Sequence, residues 1–375
     1  MPLSFYRLPC EDGRGRVNDK IRRILTSPSA PKTHMERYSA IEAWLGRLHP
    51  GTAFSLAPAS SDASFRRYFR VTFDKGTTRI VMDAPPQRED CRPWLHVQQL
   101  FHAAGTSVPE VIAHDLEQGF LLLSDLGSTT YLDRLGTVDA KTADALYRDA
   151  LTALIAIQGS SKQGQLPQYD RHLLKRELDL FPEWYVTRHL GVTIDEGLQR
   201  QLDTVFGQIL AVNLAEPQVY VHRDYHSRNL MVLASGNPGI IDFQDAVYGP
   251  ISYDLASLLK DAYIEWEEEQ TLDWLIRYWE MARKAGLPVC ADFAEFHRDY
   301  EWMGVQRHLK VLGIFARLYH RDGKEGYLKD MPLVAKYLRG AATRYSELTP
   351  LRRLLDQLED KVTVLGQTMP KRGPH

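Results

Sequence analysis

What the chain lacks narrows the reading first. It has three cysteines in 375 residues, Cys10, Cys91 and Cys290, with no Cys-x-x-Cys pair and no metal-ligand spacing. That excludes a disulfide framework and a zinc site, makes the thiols packing residues, and fits a reducing compartment. No run of about 18 apolar residues occurs, and the N-terminus has no apolar signal core. Neither a spanning helix nor a secretory leader is expected, so the protein reads as cytoplasmic, with no membrane partner. The net charge of -2 removes the compositional case for a polyanion, and no nucleic-acid partner is expected. With 44% apolar and 25% charged residues, the chain has enough apolar content for two substantial cores. The expected partners are small molecules, with the chain read as a monomer.

What is present is concentrated in Tyr220 to Gln244, YVHRDYHSRNLMVLASGNPGIIDFQ. Two apolar runs, Leu230 to Leu233 and Gly239 to Phe243, flank a Ser235-Gly236-Asn237-Pro238-Gly239 turn and predict a β-hairpin. Asn229 enters the first strand and Asp242 lies near the end of the second, so folding back brings their side chains together. Two such oxygen donors suit Mg²⁺, which takes one or two protein ligands and fills its shell with water and phosphate oxygens. Asp224, five residues before Asn229, belongs on the loop beside that cation. A carboxylate to accept a hydroxyl proton, with an Asn and an Asp for metal, is the layout phosphoryl transfer requires. The His222-Arg223-Asp224 start, the step to Asn229 and the Asp242-Phe243 pair match the catalytic and metal loops of kinases.

The flanking sequence divides into a sheet-bearing part and a helical part. Residues 1 to 34 are basic and broken by Pro and Gly, and read as a tail; a helix opens at Met35 and ends at His49-Pro50-Gly51. Phe69 to Phe73 and Ile80 to Met82 are predicted strands around an Asp74-Lys75-Gly76 turn. A helix over Pro93 to Ala104 and strands over Pro109 to His114 and Gly119 to Leu123 follow, then a hinge at Ser124 to Gly127. Helices are predicted over Tyr131 to Leu135, Ala143 to Gln158, Leu173 to Leu190 and Thr193 to Leu214, and, after the hairpin, over Asp254 to Ala262, Gln270 to Ala285, Ala291 to Tyr319 and Leu333 to Arg344. Thr349-Pro350 reads as an N-cap and first-turn proline opening a last helix to about Val364. The expected organisation is a tail (1–34), a small β-sheet lobe (35–124) and a large helical lobe (125–375). This is an α+β, bilobal class.

The loop and hairpin motifs, His222 to Asn229 and Ile241 to Asp245, resemble the aminoglycoside phosphotransferase family of the protein-kinase-like fold, over about Met35 to Leu365. Ser64 to Arg70, Val81 to Pro86, Asp242 to Ser257 and Gln306 to Leu318 look like its anomeric kinases of N-acetylmuramate and N-acetylglucosamine, which serve cell-wall recycling. The resemblance implies Asp224 as catalytic base, Asn229 and Asp242 as Mg²⁺ ligands, His222 as scaffold, and Asp254 bracing the catalytic loop, where an N-cap alone would explain it equally well. It implies ATP as donor. Nucleotide contacts are expected from Ser61 and Ser64 in the Ser60 to Ser64 run, and from Arg67, Ser124 and Leu126.

The sheet-bearing part departs from the kinase pattern. No Gly-x-Gly-x-x-Gly loop precedes the first hairpin, and Arg79-Ile80-Val81-Met82-Asp83 has no lysine where Val-Ala-Ile-Lys would place one. Arg66, Arg67 or Arg79 can take a phosphate contact instead, and a binding module without turnover stays open beside the kinase. For the acceptor, Arg307 and Lys310 lie on one side of a helix with Arg317 and suit a neutral or anionic sugar better than a polycationic aminoglycoside. Glu183 and Trp184 offer a carboxylate for sugar hydroxyls and a ring for a sugar face. The acidic run Asp261, Glu265, Glu267, Glu268 and Glu269 reads as the opening of the next helix, or as the wall of a cationic site.

Overall fold

Strand pairing follows the alternation read along residues 67 to 83. The computed structural model of the chain describes residues 32–59 and 66–364. One unit is formed within Met1–Arg92 and Pro109–Asp125. It contains α1 (Lys32–Leu48), β1 (Phe54–Pro58), β2 (Arg67–Phe73) and β3 (Thr78–Asp83), the start of α2 (Cys91–Ala103), then β4 (Val111–Asp115) and β5 (Phe120–Ser124). Helix α1 starts at Lys32, ahead of the expected Met35. Strand β1 was not legible, being short and ended by Pro58.

The sheet runs β1-β2-β3-β5-β4, with its pairs antiparallel. Ile41, Trp44 and Leu45 recur at helical spacing and bury against Leu56, Phe69, Val71, Val81, Phe120 and Leu122. Each large apolar side chain removed from water contributes roughly 1.5–3 kcal/mol. Gly119 is required at the tip of the β4-β5 turn: its φ is +72°, and a Cβ there would stand 1.9 Å from the Ala84 carbonyl oxygen.

The second unit comprises Pro93–Val108 and Leu126–His375. In order it holds α3 (Tyr131–Leu135), α4 (Ala140–Gly159), α5 (Arg171–Leu178), a π-helical segment (Phe181–His189) and α6 (Glu196–Ala215). Strands β6 (Gln218–Val221), β7 (Leu230–Met231), β8 (Gly239–Ile240) and β9 (Val247–Pro250) follow. Then come α7 (Tyr253–Leu259), α8 (Glu268–Lys284), α9 (Phe293–Asp322), α10 (Met331–Arg344) and α11 (Thr349–Val364). Asp139, Asp170, Asp195 and Asp292 cap α4, α5, α6 and α9 by accepting backbone N–H groups of the first turn.

Two helical expectations change. The single helix predicted over Leu173 to Leu190 is instead α5 followed by the π-helical segment, with Pro182 near its start and Leu190 N–H reaching back five residues to the Tyr185 carbonyl at 2.9 Å. Helix α9 presses on this break: a Cβ on Gly313 would lie 2.4 Å from the Leu180 carbonyl carbon. Thr349 is not an N-cap but already helical, with φ −51° and ψ −39°. Among the described residues, no helix is long and apolar enough to cross a membrane.

Candidate active site

The hairpin forms as the apolar runs predict, though shorter. Strand β7 pairs with β8 in antiparallel register, Leu230 opposite Ile240 and Met231 opposite Gly239. Ile241 N–H donates to the Asn229 carbonyl at 3.1 Å, so Asn229 and Asp242 leave the hairpin at the same end. Asn229 Nδ2 donates to the Asp224 carbonyl at 3.0 Å, which turns Oδ1 away from that bond. Asp242 has a left-handed φ of 63°, and its Oδ1 accepts from Gln244 Nε2 at 2.8 Å. An amide oxygen and a carboxylate at one hairpin end are hard donors in the number Mg²⁺ takes from protein, so the residues present fit that ion. Among the described residues, no group of three or more His, Cys, Asp or Glu could hold a metal on its own.

The loop 222–229 is pinned from several directions. His222 is buried; its Nε2 bonds to the Ile241 carbonyl at 3.0 Å and its Nδ1 accepts the Asp224 N–H at 3.2 Å. Burial lowers its pKa, so the ring is a neutral strut rather than an acid. Phe101, on α2, lies 6.1 Å from this ring. Tyr225 donates to the Ala150 carbonyl at 2.8 Å, and Ser227 N–H donates to the Asp261 carboxylate at 2.9 Å. Asp254 accepts the N–H groups of His222 at 2.6 Å and Arg223 at 3.0 Å, while Ser252 holds the N-cap position of α7. Asp254 therefore spends its carboxylate on the 222–229 loop.

Behind Asp224 lies a charge network that the local sequence did not signal. Glu177, on α5, is ion-paired to Arg223 and accepts from the Tyr169 hydroxyl, and Lys310 Nζ stands 3.2 Å from it. Lys310 also donates to the Tyr253 hydroxyl at 2.9 Å. Arg307 Nη1 donates to the Arg223 carbonyl at 3.0 Å and stands 3.8 Å from Asp224 Oδ1. Burial works against ionising Asp224, but the positive charges of Lys310 and Arg307 outweigh it and hold the carboxyl well below the ordinary range. The Asp224 side chain keeps 43% exposure. It is thus a carboxylate, open on one side, fixed in its charged form.

The remaining expected residues are placed as follows. Arg307 and Lys310 are only 4% and 5% exposed and bonded within the protein, so they support the loop from behind rather than forming an open basic stripe. Their helix is buried all round over Tyr300 to Gly313, which removes the contrast between faces. Glu183 is exposed on the π-helical segment, and Arg188 covers the Trp184 ring at 4.3 Å. Neither makes a hydrogen bond, ion pair or ring contact with the 222–229 loop among the described residues. Ser61 and Ser64 lie outside the described residues. Arg67, with Arg37, is ion-paired to the buried Asp83, and Arg79 donates to its neighbour's carbonyl, Thr78 O, at 2.9 Å. The Ser124 hydroxyl accepts from Glu110 N at 2.8 Å, and Leu126 packs beside Gly239. In the acidic run, Asp261 is buried against the loop, whereas Glu268 and Glu269 open α8. A cavity of about 980 Å³ lined by Lys260, His297, Glu301 and Arg344 includes none of Asp224, Asn229 and Asp242, so size does not locate the chemistry.

A five-stranded antiparallel unit, and a helical unit whose loop and hairpin present Asp224, Asn229 and Asp242, have the protein-kinase-like fold, and the family that matches makes the chain a phosphotransferase. The chain belongs to the phosphotransferase enzyme family (APH), which matches residues 55–293. Over 325 residues it is 50% identical to an N-acetylmuramate/N-acetylglucosamine kinase of Neisseria meningitidis, covering 86% of this chain and 96% of the relative. Among solved structures, a choline kinase of Streptococcus pneumoniae superposes with a TM-score of 0.58 at 15% identity, covering 82% of this chain and 99% of that one. The streptomycin-ATP-APH(2")-IIa ternary complex does so with a TM-score of 0.53 at 16% identity, covering 79% and 95%. At such identities these two speak for the fold alone.

Proposed function

We propose that the chain transfers the γ-phosphoryl group of ATP to the anomeric hydroxyl of N-acetylmuramate, N-acetylglucosamine or both. One observation carries the sugar assignment: 50% identity across 96% of a relative named for those two sugars. The chemistry rests on the loop carboxylate beside two hairpin oxygen donors. A hydroxyl oxygen forms the new bond to phosphorus as the bond to the β-phosphate oxygen breaks; ADP leaves, and the hydroxyl proton passes to Asp224. With its pKa held low, Asp224 is a weak base. Its work is to orient the hydroxyl through a charge-assisted hydrogen bond and to take the proton late, once the attacking oxygen has become acidic. Asn229 and Asp242 would hold Mg²⁺, which supplies charge neutralisation at the phosphates. Arg223, Glu177, Lys310 and Arg307 keep the carboxylate in place.

An ADP-release assay across amino sugars and aminoglycosides tests this reading. ATP-dependent release with either N-acetyl sugar, lost in Asp224→Asn while ATP still binds, is expected. Efficient turnover of kanamycin with none on either sugar would overturn it.

A further inference from the structure

The two named acceptors differ in charge: N-acetylmuramate carries a lactyl carboxylate that N-acetylglucosamine lacks. Arg307 and Lys310 are buried and already bonded inside the protein, so neither is open to that carboxylate. A different cation stands at the catalytic loop. Arg228 immediately precedes Asn229 and is four residues after Asp224. Its guanidinium carbon lies 3.7 Å from the centroid of the Tyr263 ring and 5.5 Å from that of Tyr327. The Tyr263 ring meets the His226 ring of the loop edge-on at 5.5 Å. From α9, Phe315 backs both tyrosines, at 6.0 Å from Tyr263 and 5.1 Å from Tyr327.

Packing over a ring holds a guanidinium by a face and leaves its N–H edge available, the geometry that suits a carboxylate fork. Among the described residues Arg228 makes no hydrogen bond and no ion pair. Of the acids around it, Asp330 feels its charge and Asp261 bonds to its chain neighbour and its ring partner. Asp261 spends its carboxylate on the N–H groups of Ser227 at 2.9 Å and Tyr263 at 3.1 Å. Asp330, among the described residues, makes no ion pair with Arg228, and its Oδ2 is buried without a hydrogen-bond partner. The cation is therefore pre-positioned by ring contacts, half-buried, with no hydrogen bond or ion pair among the described residues, next to the residue assigned to metal.

We infer that Arg228, held over the Tyr263 ring and beside Tyr327, is the residue that reads the acceptor's carboxylate and sets the preference for N-acetylmuramate over N-acetylglucosamine. The inference rests on the proposed sugar-kinase reading and deepens it. A guanidinium fork on a carboxylate gives the acid-bearing sugar an interaction the neutral sugar cannot make, while both present the same hydroxyl to Asp224.

The test compares kcat/KM for the two sugars in wild type, Arg228→Met and Arg228→Lys, with thermal unfolding to confirm the fold. Arg228→Met should lower the ratio of N-acetylmuramate to N-acetylglucosamine efficiency on the order of 10- to 100-fold, the scale of one lost charge-assisted contact. Arg228→Lys, with charge but no fork, should recover part of that ratio. Equal losses on both sugars, or a rise in KM for ATP alone, would overturn the inference by making the side chain a loop support or a nucleotide contact. If wild type phosphorylates neither sugar, the functional reading fails by itself. Calorimetric binding of the two sugars then decides the inference: tighter binding of N-acetylmuramate that is lost in Arg228→Met supports it, and the same affinity in both proteins contradicts it.

Discussion

Asp254 holds Arg223 in a left-handed backbone conformation: the Arg223 N–H lies 3.0 Å from the Asp254 carboxylate at a φ of 78°. A non-glycine residue pays for that geometry, so the loop keeps it only while its N–H groups have a fixed acceptor. Asp254→Ala leaves one buried and one part-buried N–H donor without a partner, a cost of roughly 1–3 kcal/mol for the buried one and less for the other. It should lower the melting temperature and cut kcat on the order of 100-fold, since the residue after Arg223 is Asp224. Full activity in a folded Asp254→Ala protein would show that the loop needs no brace.

Glu177 is the shared counter-ion of Arg223 and Lys310. Glu177→Gln removes the carboxylate that Arg223 and Lys310 share, and removing one partner from a buried pair costs about 3–5 kcal/mol. Denaturant unfolding should show a loss of that size. A change below about 1 kcal/mol would mean the network is solvated.

How much of this was legible depends on how local each feature is. Asp224, Asn229 and Asp242 could be read because one loop and one hairpin place them, and turn chemistry fixes both. Glu177 gave no signal: the packing of α5 against α9 brings it to Lys310, and a carboxylate on a short helix reads as surface. Arg307 and Lys310 were legible as a pair but not as buried, because α9 is enclosed on all sides and its charges carry no face. The pairing of β6 with β9 joins segments on either side of the β7-β8 hairpin, which strand pattern alone does not specify.

Glu216 gives a pH signature. It is buried, its Oε2 accepts from Ser252 N at 3.2 Å, and burial raises its pKa from 4.5 to about 8. Between those values the unfolded chain has lost this proton and the folded chain keeps it. The group's contribution to stability is therefore full below 4.5, declines as pH rises and is gone above about 8. Glu216→Gln removes that decline. The stability of the variant relative to wild type should rise with pH from about 5 and level off above 8; a gap independent of pH would place an ionised carboxylate there.

At the hairpin, Asp242→Ala should abolish Mg²⁺-dependent turnover, and Asn229→Ala should shift the Mg²⁺ titration to higher concentration. Binding of Mg²⁺ with nucleotide, followed by calorimetry, should weaken in both. Unchanged titrations would mean that the cation is held elsewhere.

The most direct measurement is the position of the phosphate on the product. Incubated with ATP, Mg²⁺ and N-acetylmuramate or N-acetylglucosamine, the protein should yield a sugar phosphate that is non-reducing, acid-labile and coupled to the anomeric proton in the phosphorus NMR spectrum. A reducing, acid-stable 6-phosphate would contradict the regiochemistry. No transfer to either sugar, with kanamycin phosphorylated efficiently, would contradict the account as a whole.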